Sequence, residues 1–390
     1  MNRGTVGRRG PLRRYVRVVA VISVATIVVA GCAGSGESTG STEGTSVTSS
    51  SSASTTIQST TSTSSPAATT TTSAEVEPGS PGVAGLQAIA DEAGDALIYV
   101  SDADGTTTVV AGEGENDEAI QADDAFFIGS GSKMITAVAV LQLVDQGLVG
   151  LDDLLEEYVE FEVSTPITIR HLLQHKSGLG DDGFFYETCD PEEVMEGLAA
   201  LAQRPYNLEP GGGASYSTNG FNMLSLVISS ATGQATAEVF RENLFQPLEM
   251  TSTYFTGAED GPPLVVGGGS WEPDCPAQHM DIGTGGGFAS SAEDLDIFMR
   301  ALFEGDLLTA ESLKEMITIG SVVHGLDYGL GIGVLYPPTT PEQPMYGHWG
   351  QFGWEAGAMY DPENRRTVVA LVRRGFAPTV FESAAWASTN

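Results

Sequence analysis

Phe127-Ile128-Gly129-Ser130-Gly131-Ser132-Lys133 runs directly into Met134–Val144, an apolar stretch with helical spacing. A Ser and a Lys three residues apart at a helix start share one face, so the amine can reach the hydroxyl. The helix N-terminus adds backbone N–H groups and a positive partial charge, which favour negative charge on an attacked carbonyl oxygen. A nucleophile, a base and part of an oxyanion site therefore coincide at Ser130 and Lys133. Spacing alone is a weak signal, because a helix cap followed by a surface lysine produces the same pattern.

Outward from this junction, Ile135, Val138, Leu141 and Val144 fall on one face of the helix, and Gly147 suits its C-terminal cap. Upstream, Leu86 to Ala93 has helical spacing. Two strand-like runs follow, Ala96 to Val100 and Thr106 to Val110, and the turn residues Asp102-Ala103-Asp104-Gly105 between them predict a hairpin. Downstream, helical patterns occupy Ile169 to Gln174, Pro191 to Gln203, Phe221 to Ala231 and Thr236 to Leu244. Strand character returns in Met345 to Trp349, Glu355 to Tyr360 and Thr367 to Val372, with Asp361-Pro362-Glu363-Asn364 as a turn. The pattern predicts an α/β (α+β) fold. Its sheet is begun by the N-terminal part, completed by the C-terminal part and interrupted by a mainly helical lobe at roughly 145–280, with the cleft where they meet.

Five segments together resemble the serine β-lactamases and the related D,D-peptidases and esterases. Phe-Ile-Gly-Ser-x-x-Lys, leading to Gly147-Leu148-Val149-Gly150-Leu151-Asp152-Asp153, resembles the first motif. Ile167 to Leu179 resembles the helix and turn ahead of the second. Pro210 to Phe221, with Tyr216-Ser217-Thr218-Asn219, resembles the second motif itself, Tyr-x-Asn. Gly285 to Leu295 resembles the Gly-rich turn into a helix. Gly347-His348-Trp349-Gly350 resembles the third motif in its His-x-Gly form. The resemblance covers essentially Gly82 to Val372 and implies a β-lactamase/transpeptidase-like fold, an antiparallel sheet flanked by helices with an inserted helical lobe.

It also implies roles. Ser130 would form an acyl-enzyme, splitting one hard step into two easier ones. Lys133 and Tyr216 would exchange its proton, and which of the two is the general base stays open. His348 would contribute a donor or positive charge opposite Tyr216, and the backbone N–H groups of Ser130 and Gln351 would form the oxyanion hole. Thr218, Asn219, Trp349 and Gly350 would contact substrate. The chain departs from the pattern at Thr218, which stands where relatives place the Asn that contacts an acylamide, and at Trp349, where a small hydroxyl residue would help hold a carboxylate. Both departures favour esters over amides or β-lactams. Trp349, Phe352 and Trp354 either make this end of the cleft apolar or pack the strand edge. No segment matches the Glu-containing loop of the commonest penicillinases.

No cofactor is expected. His171 and His175, four apart on a helical segment, lack the Glu of a zinc-protease motif, so structural hydrogen bonding is the better reading. Gly211–Gly213 and Gly283–Gly287 lack the context of nucleotide loops and are read as turns that bring backbone close to the cleft.

The N-terminus predicts export. Arg3, Arg8, Arg9, Arg13, Arg14 and Arg17 precede an apolar run, Val18 to Ala30, too short to span a bilayer. Val29-Ala30-Gly31-Cys32 resembles the lipobox of bacterial lipoproteins. Residues 1–31 are therefore expected as a signal peptide, with Cys32 lipidated and the protein anchored on the outer face of the cytoplasmic membrane. The Ser/Thr-rich residues 32–81 have too little to bury to offset the entropy of ordering, and read as a tether with a root-mean-square reach of roughly 40 Å, open to glycosylation. Residues 82–390 remain for the hydrolase domain. Without the signal peptide the chain of 390 residues carries 11 basic against 51 acidic groups, a net charge of −40. That excludes nucleic acid as a partner. Cys189 and Cys275 are an even pair in an oxidising compartment and either join as a disulfide or remain buried thiols.

The expected function is cofactor-free acyl transfer to water from a small ester or a D-amino-acid peptide of the cell wall. The rival is a non-catalytic envelope protein that keeps the fold for binding. Such a protein would be expected to lose Ser130, Lys133 or Tyr216, and all three are present.

Overall fold

The computed structural model describes residues 70–72, 81–114, 118–180, 191–203, 208–256, 258–266, 283–338, 340–351, 354–373 and 377–387. Cys32, Cys189, Cys275 and Phe352, and with them the expected signal peptide, lipid anchor and disulfide, lie outside these residues.

In chain order the elements are β1 (Thr70–Thr72), α1 (Pro81–Ala93), β2 (Ala96–Asp102), β3 (Gly105–Ala111), β4 (Ala125–Phe127), α2 (Ser132–Asp145), α3 (Ile169–Leu173), α4 (Pro191–Gln203), α5 (Thr218–Thr232) and α6 (Thr236–Phe240). There follow β5 (Tyr254–Phe255), β6 (Leu264–Val266), β7 (Phe288–Ser290), α7 (Ala292–Phe303), α8 (Ala310–Ile317), β8 (Ser321–Val323), β9 (Leu326–Tyr328), β10 (Gly333–Leu335), β11 (Met345–Gln351), β12 (Glu355–Asp361), β13 (Arg366–Val372) and α9 (Ala377–Ala387).

Nine strands form one antiparallel sheet in the order β1-β3-β2-β13-β12-β11-β10-β9-β8. Its central seam, Ile98 against Ala370 and Val100 against Val368, joins the N-terminal to the C-terminal part of the chain. Both faces of that seam are buried, and the period of two sorts them. Leu97, Tyr99, Val369 and Leu371 enter the core shared with α2 and α7. Ile98, Val100, Val368 and Ala370 pack with Leu86 of α1 and Phe381 of α9. The predicted hairpin is β2–β3, with Asp102 Oδ1 accepting from Asp104 N–H at 2.9 Å inside the turn.

Helix α2 differs from its one-faced reading. Every residue from Ser132 to Leu141 is buried, because the helix lies between the sheet and the helical lobe, touching β11 on one side and α5 on the other. A helix buried all round carries no amphipathic period. At roughly 1.5–3 kcal/mol for each fully buried large apolar side chain, it anchors both halves of the fold.

In the lobe, α5 begins at Thr218, where Ser217 Oγ caps Gly220 N–H at 3.0 Å, and ends at Gly233 with φ 72°. The helix read over Thr236 to Leu244 is α-helical only to Phe240 and continues as a π-turn over Arg241–Phe245. A second sheet, β5-β7-β4-β6, was not legible, nor were β8–β10. Strands of two or three residues are too short for any period to show.

Candidate active site

Strand β4 delivers the chain to a single tight turn, Gly129–Gly131, immediately before α2. Gly129 has φ 48°, a conformation that suits glycine. The turn is held on one side by Ile128 N–H donating to Phe288 O (3.1 Å) and Phe288 N–H donating to Ser132 Oγ (3.1 Å). On the other side β11 presses against it so closely that a methyl group on Gly350 would lie 2.3 Å from Ser130 N and 2.4 Å from Ile128 O. That approach is possible because β10 pairs with β11 only over Met345–Gly347, leaving one edge of His348–Gln351 free of β10. Ser130 is half-buried and opens to a cavity of about 320 Å³ that Tyr216, Thr218, His324, His348 and Trp349 also line.

Lys133 lies fully buried beneath it. Its Nζ is 3.1 Å from Ser130 Oγ, 3.4 Å from Thr218 Oγ1 and 2.5 Å from Gly285 O. The aromatic rings of Tyr216 and Phe221 lie 4.8 Å and 5.6 Å from the same nitrogen. The Gly285 carbonyl is fixed in turn: Gly285 N–H donates to Asn222 Oδ1 at 3.0 Å, and neighbouring Thr284 donates to Phe221 O at 2.8 Å. The Gly-rich segment brings backbone to the cleft, as its sequence predicts, and no sequence signal marks its carbonyl as the acceptor for the lysine.

Three imidazoles surround the cleft. His348 is buried, and its Nδ1 lies 2.8 Å from the carbonyl of Trp349. A carbonyl only accepts, so Nδ1 carries the hydrogen and Nε2 keeps its lone pair. Burial, reinforced by nearby Lys133, pushes its pKa down to about 3. His348 is therefore neutral at physiological pH and supplies no positive charge. His175, also buried, accepts from Ser217 N–H at 3.1 Å through Nδ1 and stacks on Tyr216 with ring centroids 4.4 Å apart. Burial holds it well below the usual imidazole range. His324, which the sequence did not single out, stacks on Tyr216 from another element, at 5.1 Å.

The other expected substrate contacts divide. Thr218 and Gly350 line the cavity. Asn219 does not turn into the place Thr218 leaves: its buried amide donates to Gly180 O at 3.1 Å. Trp349 lines the cavity too, but its ring packs across the sheet 6.2 Å from Phe381, because alternate residues of a strand face opposite ways. Trp354 is buried. Gln351 ends β11, its exposed side chain donating to Glu355 Oε1 at 2.6 Å. His171 caps α3, its Nδ1 accepting from Thr168 N–H at 3.3 Å. Among the described residues no group of three or more His, Cys, Asp and Glu side chains is placed to hold a metal ion.

A serine on a tight turn at the head of a buried helix, a lysine one helical turn on and a free sheet edge above them define the β-lactamase/transpeptidase class of serine hydrolases. The chain belongs to the Beta-lactamase family, which matches residues 79–388. Penicillin-binding protein 4* of Bacillus subtilis (strain 168) is 25% identical over 243 residues, covering 54% of this chain and 52% of its own length. Esterase EstB of Burkholderia gladioli is 28% identical over 293 residues, covering 62% of this chain and 74% of its own. The chain thus spans about half the length of the Bacillus subtilis penicillin-binding proteins it matches. D-amino acid amidase from Ochrobactrum anthropi SV3 shares the fold, with a TM-score of 0.67 at 20% identity, covering 80% of this chain and 99% of its own.

Proposed function

We propose that this protein is an extracytoplasmic serine hydrolase that forms an acyl-enzyme on Ser130 and hydrolyses small, uncharged esters. The observation that carries the reading is the 3.1 Å separation of Lys133 Nζ and Ser130 Oγ, with Gly285 O and Thr218 Oγ1 engaging the same nitrogen. Those oxygens hold the amine within reach of the serine hydroxyl, and once deprotonated Lys133 takes the proton as Ser130 attacks. Tyr216, beside both, returns a proton to the leaving alkoxide. The backbone N–H groups of Ser130 and Gln351 stabilise the tetrahedral oxyanion, and water then attacks the acyl-enzyme by the reverse proton path.

Esters are favoured over peptides that end in a carboxylate for three reasons. Thr218 stands where relatives use Asn, Asn219 is committed to Gly180, and no Asp, Glu, Lys or Arg is among the described residues lining the cavity. With His348 neutral, that imidazole offers a substrate carboxylate no positive charge. EstB, an esterase by name, agrees with this choice. Export and lipidation at Cys32, placing the enzyme on the outer face of the cytoplasmic membrane, rest on the basic and apolar N-terminal sequence alone.

Intact-mass labelling of the full chain with a fluorophosphonate and with a penicillin, alongside turnover of p-nitrophenyl acetate, tests the proposal in wild type and Ser130→Ala. Fluorophosphonate labelling and ester turnover that vanish in the variant are expected. Penicillin labelling in preference would move the assignment to the peptidases, and no labelling of folded protein would leave a binding protein.

A further inference from the structure

The group whose ring the site holds most elaborately is Tyr216. It sits in a loop ahead of α5, and His175 supports both flanks of that loop, accepting from Ser215 N–H through its carbonyl at 2.9 Å and from Ser217 N–H through its ring at 3.1 Å. The His175 ring also stacks on the phenol, 4.4 Å away and inclined by 29°. All of this comes from one stretch of the helical lobe. The second stacking partner comes from the edge of the large sheet: His324, 5.1 Å away and inclined by only 25°, at the tip of the β8–β9 hairpin.

The tip is a two-residue turn. Val323 pairs with Leu326, so His324 and Gly325 alone make the turn, and their φ values are 51° and 83°. Positive φ at both central residues marks the mirror-image turn that favours Asn-Gly, and histidine is among the few other residues enriched at positive φ. His324 is exposed, so it is not there to fill a core. What it touches is the Tyr216 ring, and it lines the same cavity as Ser130. The hairpin beneath is anchored: Gly320 N–H donates to Tyr328 O at 2.9 Å, and Tyr328 packs edge-on against His348.

We propose that His324 is a positioning residue for Tyr216, whose imidazole reaches across the cleft and fixes the plane of the phenol that returns the proton to the leaving group. The kinetic part rests on the acyl-transfer reading of the site.

Two variants separate this from a role in folding the hairpin. His324→Asn removes the ring and supplies the residue that the turn prefers, so a merely structural histidine would be replaced without loss. His324→Phe keeps an aromatic ring in a less comfortable turn. With an alkyl acetate, whose alkoxide must gain a proton to leave, and the full chain, His324→Asn is expected to lower kcat about tenfold to a hundredfold while KM moves less than about threefold, and His324→Phe to recover most of that loss. Unchanged kcat in His324→Asn, or a phenylalanine variant as slow as the asparagine one, would overturn the proposal. NMR of tyrosine-ring-labelled protein reads the stack without turnover, the Tyr216 signal being the one lost in Tyr216→Phe. That signal should shift in His324→Asn and stay near its wild-type position in His324→Phe, and a signal indifferent to His324 rejects positioning. The expected shift in His324→Asn, with a wild type that hydrolyses no ester, would sink the esterase reading and leave the stack standing.

Discussion

The carbonyl of Gly285 lies 2.5 Å from Nζ of Lys133, a residue 152 positions earlier in the chain. It fixes the direction of the amine, and only a residue without a side chain can place it there. A Cβ at 285 would lie 2.8 Å from both Cγ2 and the carbonyl oxygen of Thr218, and 2.9 Å from Asn222 Oδ1.

Gly285→Ala should therefore push the carbonyl off the lysine while leaving the fold intact. Overpacking of this kind costs about 1–3 kcal/mol. Acylation should slow by about tenfold to a hundredfold, as a displacement near 1 Å does at a catalytic group. Stopped-flow acylation together with a thermal melt checks both, and full activity in a folded variant would show that the carbonyl is not needed.

Gly350→Ala should be more severe. The atoms in its way, Ser130 N and Ile128 O, are backbone and cannot rotate aside. Either β11 or the nucleophile turn must move, and both border the proposed oxyanion site. The fluorophosphonate labelling rate of Ser130 is expected to drop by at least about a hundredfold, the scale of a lost oxyanion donor.

Asn219→Ala distinguishes a structural amide from a substrate contact. Gly180 O keeps a second donor in Ser217 Oγ at 3.4 Å, so the variant loses one hydrogen bond, a cost of about 0.5–1.5 kcal/mol in urea unfolding. KM for p-nitrophenyl acetate should hardly change. A raised KM with unchanged stability would return Asn219 to the substrate.

His348 makes the protein sensitive to acid. Its folded pKa of about 3 lies below the imidazole value of 6.5 that the unfolded chain restores, so the unfolded state binds the proton first. The stabilisation is fully present above pH 6.5 and is lost as pH falls towards 3, at up to about 1.4 kcal/mol per pH unit for one proton. His175 is depressed in the same direction and adds to the slope. Urea unfolding from pH 7 to 4 should show it, and His348→Gln should remove about one proton's worth. An unchanged slope in that variant would mean that His348 is already charged in the fold.

Much of this architecture was readable in the chain. The β2–β3 hairpin, the C-terminal strands and the helix after Ser130 carry turn chemistry or periods long enough to count. The four-stranded second sheet does not, because its residues find pairing partners only through the fold, and the β8–β10 strands, which pair locally, are only three residues long each. The all-round burial of α2 escaped for a related reason: a period reveals one dry face, whereas a helix with two neighbours has no wet one.

The site divides along the same line. Local order along the chain determined that Ser130 and Lys133 share a helix face at a helix start, since a spacing of three and the helical pitch suffice for that. It also marked Tyr216 and His348 through the motifs around them. Only tertiary structure decided that Gly285 O receives the lysine, that Asn219 turns away to Gly180, that Trp349 faces Phe381, that His348 is stripped of its charge and that His324 reaches Tyr216. Each of these depends on which distant atoms surround a group and how much water is left beside it, and those quantities exist only once the chain has closed on itself.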